Sequence, residues 1–124
     1  MGAHVYIAHS IRQSDAHLVY SIGEVVGRQG LPVEYWYEHQ GQQYAYDMVA
    51  EAQLFVGLIA SSAHLKTVYQ LYEYGQRMRV PSLLLAERGV NLPSKVAQNP
   101  NVLIFQRSMP QNPVRFVEMF FSRR

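Results

Sequence analysis

The sequence predicts an α/β domain in three layers, α/β/α, with a five-stranded parallel sheet in the order 2-1-3-4-5. Three observations predict it. Apolar runs too short for ordinary helices alternate with longer segments of helical period. The stretch from Leu54 to Pro81 reads as strand, loop, helix and the approach to a further strand. A crossover of that kind makes its two strands parallel. Finally, 124 residues with no internal repeat, linker or low-complexity segment suit one domain spanning positions 1–124.

Each element follows from local pattern. His4-Val5-Tyr6-Ile7-Ala8 reads as the first strand, and His9 to Ser14 as a polar loop. Ser14 can cap the next helix, and Asp15 in its first turn complements the helix dipole. Leu18, Val19, Ile22, Val25 and Val26 fall at helical spacing, and Gly30 with Pro32 ends that helix. Gly23 and Gly27 weaken it but permit close approach to the sheet. Val33 to Tyr37, rich in β-formers, is the second strand. A polar loop, Glu38 to Gln43, leads into a short helix from Tyr44 to Gln53, with Ala45, Met48, Val49 and Ala52 inward. Leu54 to Ala60 is the third strand, Ser61 to His64 a polar loop, and Leu65 to Met78 a helix with Val68, Leu71, Tyr72 and Gly75 on one face. Val80 to Ala86 is the fourth strand. Glu87 to Asn101 is loop-rich, with one helical turn expected near Ser94-Lys95-Val96. Val102 to Phe105 is the fifth strand, and Pro113 opens a last helix whose apolar side is Val114, Phe116, Val117, Phe120 and Phe121.

This is the flavodoxin-like strand order. It places a topological switch point between strands one and three, and ligands of open α/β sheets bind there, outside the carboxyl ends of the strands. The loops His9–Ser14 and Ser61–His64 are therefore the predicted walls of a pocket.

Composition narrows the chemistry. The chain has no cysteine, which excludes disulfides and thiolate catalysis. None of its five histidines stands at zinc-ligand spacing from another, so no metal is expected. A formal charge of +2 with scattered basic residues does not indicate nucleic-acid binding. No apolar run approaches the roughly 20 residues of a membrane span, and no signal peptide is visible. A cytoplasmic location is the expectation. Nine tyrosines suit a pocket rim or an interface, because the ring is apolar and its tip polar.

Glu73 is the leading catalytic candidate. It is the only acidic residue between Glu51 and Glu87. A carboxylate can stabilise or trap an oxocarbenium-like centre as a base leaves a ribose. The competing reading is a solvated face shared with Lys66, Gln70 and Arg77, with Glu73 and Arg77 in the favoured i, i+4 order. Substrate contacts are expected from Tyr6, His9 and Ser10 at the first strand, from Asp47 to ribose hydroxyls, and from Ser61 and Ser62 ahead of a helix N-terminus. Simple capping or loop polarity accounts for several of these equally well. Trp36 and Tyr37 can stack on a base, although burial against a helix is the commoner use of such rings. No glycine-rich phosphate fingerprint is present.

Two family resemblances bear on these residues. Val5-Tyr6-Ile7-Ala8-His9-Ser10, followed by Asp15, resembles the opening strand and loop of TIR domains. Ser61 to Glu73 is similar to the TIR segment that ends on the catalytic glutamate, with Thr67 for its serine, Tyr69 for its tryptophan and Glu73 for the acid. This likeness covers about positions 4 to 90. Val5 to Ala8 is also similar to the first strand of nucleoside deoxyribosyltransferases and related nucleotide N-glycosidases. In that comparison Tyr46 to Val56 resembles their sugar-binding aspartate segment, placing it on Asp47. Glu73-Tyr74-Gly75, with Val80-Pro81, resembles their nucleophile motif. Thr67 stands where that family carries a further acid, a departure that bears on transfer more than on hydrolysis.

The resemblance implies an enzyme on N-ribosyl bonds. It implies a TIR-like NAD nucleosidase or cyclase with NAD as substrate rather than cofactor, Glu73 as its catalytic residue and Tyr69 among the substrate contacts. It also implies self-association as a homo-oligomer and a place in bacterial antiphage signalling. The alternatives are a nucleoside 2-deoxyribosyltransferase or nucleotide N-glycosidase, and a non-catalytic interaction or nucleotide-sensing module.

Overall fold

The computed structural model describes residues 4–61, 63–109 and 111–122, and for Ser14 the main chain alone. Five strands form one sheet: β1 (Val5–Ser10), β2 (Val33–Tyr35), β3 (Leu54–Ile59), β4 (Ser82–Glu87) and β5 (Val102–Phe105). Their order is β2-β1-β3-β4-β5 and every pairing is parallel. The helices are α1 (Ala16–Gly27), α2 (Gln42–Glu51), α3 (Leu65–Arg77), the single turn α4 (Ser94–Ala97) and α5 (Gln111–Ser122). The predicted fold class and strand order are those observed.

The sheet separates two apolar cores. On one side Val5, Ile7, Leu54, Val56, Leu58, Leu83 and Leu85 meet α1 and α5 through Leu18, Ile22, Val25, Val26 and Val117. On the other, Tyr6, Ala8, Phe55, Ile59 and Leu84 meet α2 and α3 through Ala45, Val49, Val68, Leu71 and Tyr72. Alternate residues of each central strand thus serve opposite cores, and β3 is buried along its whole length. Each large side chain so buried contributes about 1.5–3 kcal/mol.

Several boundaries differ from the sequence reading. β1 runs on to Ser10, because His9 and Ser10 pair with Leu58 and Ile59 of β3. β2 has only three residues, although the Trp36 N–H still donates to the Ile7 carbonyl at 2.8 Å. A 3-10 turn, Gln13–Asp15, precedes α1, and Asp15 occupies its N-cap without a capping side-chain bond. The expected cap by the Ser14 hydroxyl lies outside the described side chains. Asp15 instead pairs with Arg12 at 3.2 Å and with Arg107 at 3.1 Å. Gly23 is buried where the Tyr35 hydroxyl rests against it, the close approach its lack of a side chain allows. Arg79 closes α3 in a left-handed conformation, φ 60°, before the chain reverses into β4.

Candidate ligand-binding site

All five strands are parallel, so their carboxyl ends share one edge, and the loops after β1, β2 and β3 meet there. A cavity of about 410 Å³ opens between α2, α3 and the loop after β2, within the usual range of about 300–1,000 Å³ for ligand pockets; of the predicted walls His9–Ser14 and Ser61–His64, only His64 lines it. The loop after β2 contributes Trp36, Glu38 and Gln40 to its wall. Gln42, Ala45 and Tyr46 of α2 form a second side. His64, with Thr67, Gln70 and Leu71 of α3, closes the third.

Trp36, the chain's single tryptophan, organises this wall. Its ring is 6% exposed and lies edge-on between two imidazoles, His64 at 5.2 Å and His9 at 6.1 Å between ring centroids. Burial, and then the neighbouring His64, hold the His9 imidazole below the usual histidine range. His64 Nε2 lies 3.7 Å from a Glu38 carboxylate oxygen, and the Glu38 side chain is 79% exposed at the rim.

Two polar fasteners hold the loops. The Ser10 hydroxyl is fully buried; it donates to the Ser61 carbonyl at 2.8 Å and accepts the His64 N–H at 2.9 Å. Gln40 Oε1 accepts the Tyr37 N–H at 3.1 Å and the Tyr6 hydroxyl at 3.3 Å, which leaves its amide nitrogen as the free end. Among the described residues, the polar ends of Gln42, Thr67 and Gln70 take no side-chain hydrogen bond, so they are available to a ligand.

The residues predicted from sequence divide sharply. His9 stands behind Trp36 and supports the wall. Tyr6 is a core ring beneath the cavity, its hydroxyl pushed well above the ordinary tyrosine range by burial, and it reaches the cavity only through Gln40. Ser10, expected at the sugar or phosphate, has its hydroxyl engaged within the protein instead. Ser61 Oγ accepts the Ala63 N–H at 3.2 Å, a turn contact. Ser62 lies outside the described residues. Asp47 projects from the outer face of α2, where it accepts a hydrogen bond from Gln43 at 2.9 Å and does not line the cavity.

Glu73 is also elsewhere. At about 100° per residue it sits roughly 140–160° round α3 from the buried Val68 and Gly75, and it is exposed. With Tyr69, Tyr72, Gln76 and Arg77 it lines a separate shallow hollow of about 310 Å³ toward Lys95 and Val96 of α4. Burial first, and then the neighbouring Glu73 carboxylate, raise the Tyr69 hydroxyl. The expected ion pair with Arg77 is not among those formed by the described residues. The α3 positions that face the main cavity are Thr67, Gln70 and Leu71, none of them acidic.

The sequence reading passed over Glu38, Gln40, Gln42, Tyr46, Thr67 and Gln70 as lining residues, and reached His64 only as the end of a predicted wall. The signal that would have found the first three was topological. In an all-parallel sheet the loop after the second strand ends at the same edge as those after the first and third.

The opposite shoulder of that edge carries a charged network beside a smaller cavity of about 230 Å³ lined by Asp15, Glu87 and Arg107. Arg12 Nη2 donates to both Glu87 carboxylate oxygens at 3.0 Å, and Arg107 bridges Asp15 and Glu87 at 3.1 and 3.4 Å. This network ties the segments after β1, β4 and β5 together. Among the described residues no helix is long and apolar enough to cross a membrane.

No protein-family model matches the chain, and no curated protein is similar to it in sequence. Solved structures do share its fold. The CMP N-glycosidase of Clostridium botulinum superposes with a TM-score of 0.67 at 12% identity, covering 93% of this chain and 98% of that one. The RPS4 and RRS1 TIR domain heterodimer gives 0.60 at 12% identity, covering 94% and 96%. A flavodoxin-like domain from Synechococcus gives 0.58 at 13% identity, covering 97% and 99%. These likenesses concern the fold, which the enzymatic, TIR and flavodoxin-like structures hold in common.

Proposed function

We propose that this chain is a nucleoside- or nucleotide-recognition domain, with its ligand in the cavity between α2, α3 and the loop after β2. One observation carries the reading. The cavity joins flat rings, from Trp36, Tyr46 and His64, to neutral hydrogen-bonding groups, from Gln40, Gln42, Thr67 and Gln70. Rings offer a stacking surface for a base, and amides match the paired donor and acceptor on a base edge. The CMP N-glycosidase and the TIR heterodimer support this choice of ligand class by analogy of fold.

A second reading, cleavage of an N-ribosyl bond in NAD or a nucleotide, is favoured by the presence of one carboxylate on the cavity wall, that of Glu38. In this reading Glu38 rather than Glu73 is the acid beside the sugar. A route through Glu73 needs the scissile bond in the α3–α4 hollow, on another face of the helix. Self-association belongs to the same proposal, since the TIR structure of this fold is a heterodimer.

Trp36 emission provides the test. It is the only indole and lies on the cavity wall, so a ligand there should perturb it. Titration with adenosine, cytidine, their monophosphates and NAD should quench or shift it saturably, and calorimetry should give the same affinities. Chromatography of the same mixtures for released base separates recognition from cleavage. Release abolished by Glu38→Gln establishes the second reading; release abolished only by Glu73→Gln overturns the assignment of the site.

A further inference from the structure

The geometry points to a ligand without a phosphate: the cavity selects an unphosphorylated nucleoside over the corresponding 5′-monophosphate, with Glu38 as a specificity-determining residue. This inference rests on the recognition reading above and narrows its ligand class.

Charge at the cavity is the first observation. Proteins hold phosphates with arginine, lysine, or clusters of unpartnered backbone N–H groups. No arginine or lysine is among the described lining residues, and Glu38 is the one carboxylate there. His64 faces that carboxylate at 3.7 Å, so even a protonated imidazole is already matched to an anion. Lys66, two residues further along, is exposed and does not line the wall. Arg12 and Arg107 belong to the same sheet edge but are engaged by Asp15 and Glu87 on its other shoulder.

Backbone donors are the second observation. The turn from β3 into α3 is where an anion would ordinarily meet free N–H groups. Here the Ala63 N–H is taken by Ser61 Oγ at 3.2 Å and the His64 N–H by Ser10 Oγ at 2.9 Å. Two serine hydroxyls thus occupy two of this turn's donors before any ligand arrives. What remains toward the cavity is uncharged: an amide nitrogen on Gln40, the amides of Gln42 and Gln70, and the Thr67 hydroxyl. These suit a base and ribose hydroxyls.

The experiment uses the whole chain at low ionic strength and mildly alkaline pH, where free imidazole is neutral. Trp36 emission is titrated with adenosine and cytidine and with their 5′-monophosphates, in the parent and in Glu38→Gln. Each nucleoside is expected to bind about fivefold or more tightly than its monophosphate, the scale of repulsion between a solvated carboxylate and a nearby dianion. That ratio should fall in Glu38→Gln and on adding salt. Monophosphates binding as well as or better than nucleosides overturn the inference while leaving the recognition reading intact. A preference that neither Glu38→Gln nor salt reduces overturns Glu38 as its source. If no compound perturbs Trp36 and calorimetry detects no binding, the recognition reading itself fails.

Discussion

Replacing Ser10 by alanine removes one oxygen atom and two hydrogen bonds. The hydroxyl is fully buried, donates to the Ser61 carbonyl and accepts the His64 N–H. Both partners sit in the segment from β3 to α3, so Ser10→Ala leaves a carbonyl and an N–H without partners at one point. An unsatisfied buried group costs about 1–3 kcal/mol. The two partners are only part-buried and water can reach them, so the lower end of that range applies: about 1 kcal/mol for each group and about 2 kcal/mol together. For a domain of this size that is a fall of about 6–10 °C in Tm. Urea denaturation measures it as a lower midpoint with unchanged slope. The same change frees His64, which packs edge-on to Trp36, so the native-state emission of Trp36 should shift before any unfolding. Ser10→Thr keeps the hydroxyl and should recover part of both effects. A midpoint within about 0.3 kcal/mol of the parent, together with unchanged Trp36 emission, would refute the claim that this hydroxyl holds the loops.

Three further outcomes are expected. Gly75→Ala places a methyl group 2.5 Å from the buried Ser82 hydroxyl and 3.4 Å from Val49, where α3 lies on β4 and α2. Overpacking of about 1–3 kcal/mol should exceed the roughly 1 kcal/mol that alanine gains in a helix, and a raised urea midpoint would contradict this packing. His9 titrates below its unfolded value, so the unfolded chain takes up the proton first on acidification. Its contribution to stability is present above the unfolded pKa of about 6.5 and is lost as pH falls through the depressed folded value. His9→Asn should flatten the slope of stability against pH in that interval, and an unaltered slope would reject the assignment. Glu73→Gln lies outside the cavity and should leave nucleoside affinity within about twofold and stability within about 0.5 kcal/mol. A larger loss of affinity, read from Trp36 titration, would return Glu73 to the site.

The fold was legible because its signals are local and repeated. The fully apolar run from Leu54, the helical spacing of Val68, Leu71, Tyr72 and Gly75, and the stop at Gly30 and Pro32 each describe one element. Their alternation leaves few topologies. The switch point followed from strand order, but the cavity draws its lining from α2, α3 and the loops after β2 and β3, and none from β1 or the loop after it. The identity of its lining did not follow, because orientation on a helix and loop path are set by tertiary contacts. Gln70 and Glu73 look like neighbours on one helical face. A turn of about 60° between them is enough to send one to the cavity and the other to the α4 side. Ser10 looked like an exposed loop hydroxyl because strand pairing with Ile59 cannot be seen in a polar run. The resemblance to glycosidic enzymes pointed to the fold observed. It assigned the acid to a position that the packing of α3 turns away from the cavity.

The division of the core by the sheet has an evolutionary consequence. Every side chain of the cavity wall is rooted in the layer that α2 and α3 share, and none comes from α1 or α5. Substitutions in the core between the sheet and the α1–α5 flank can therefore raise or lower thermal tolerance without altering the side chains of this wall. One flank can accumulate sequence change while the other keeps its wall, and structural likeness can persist at 12% identity.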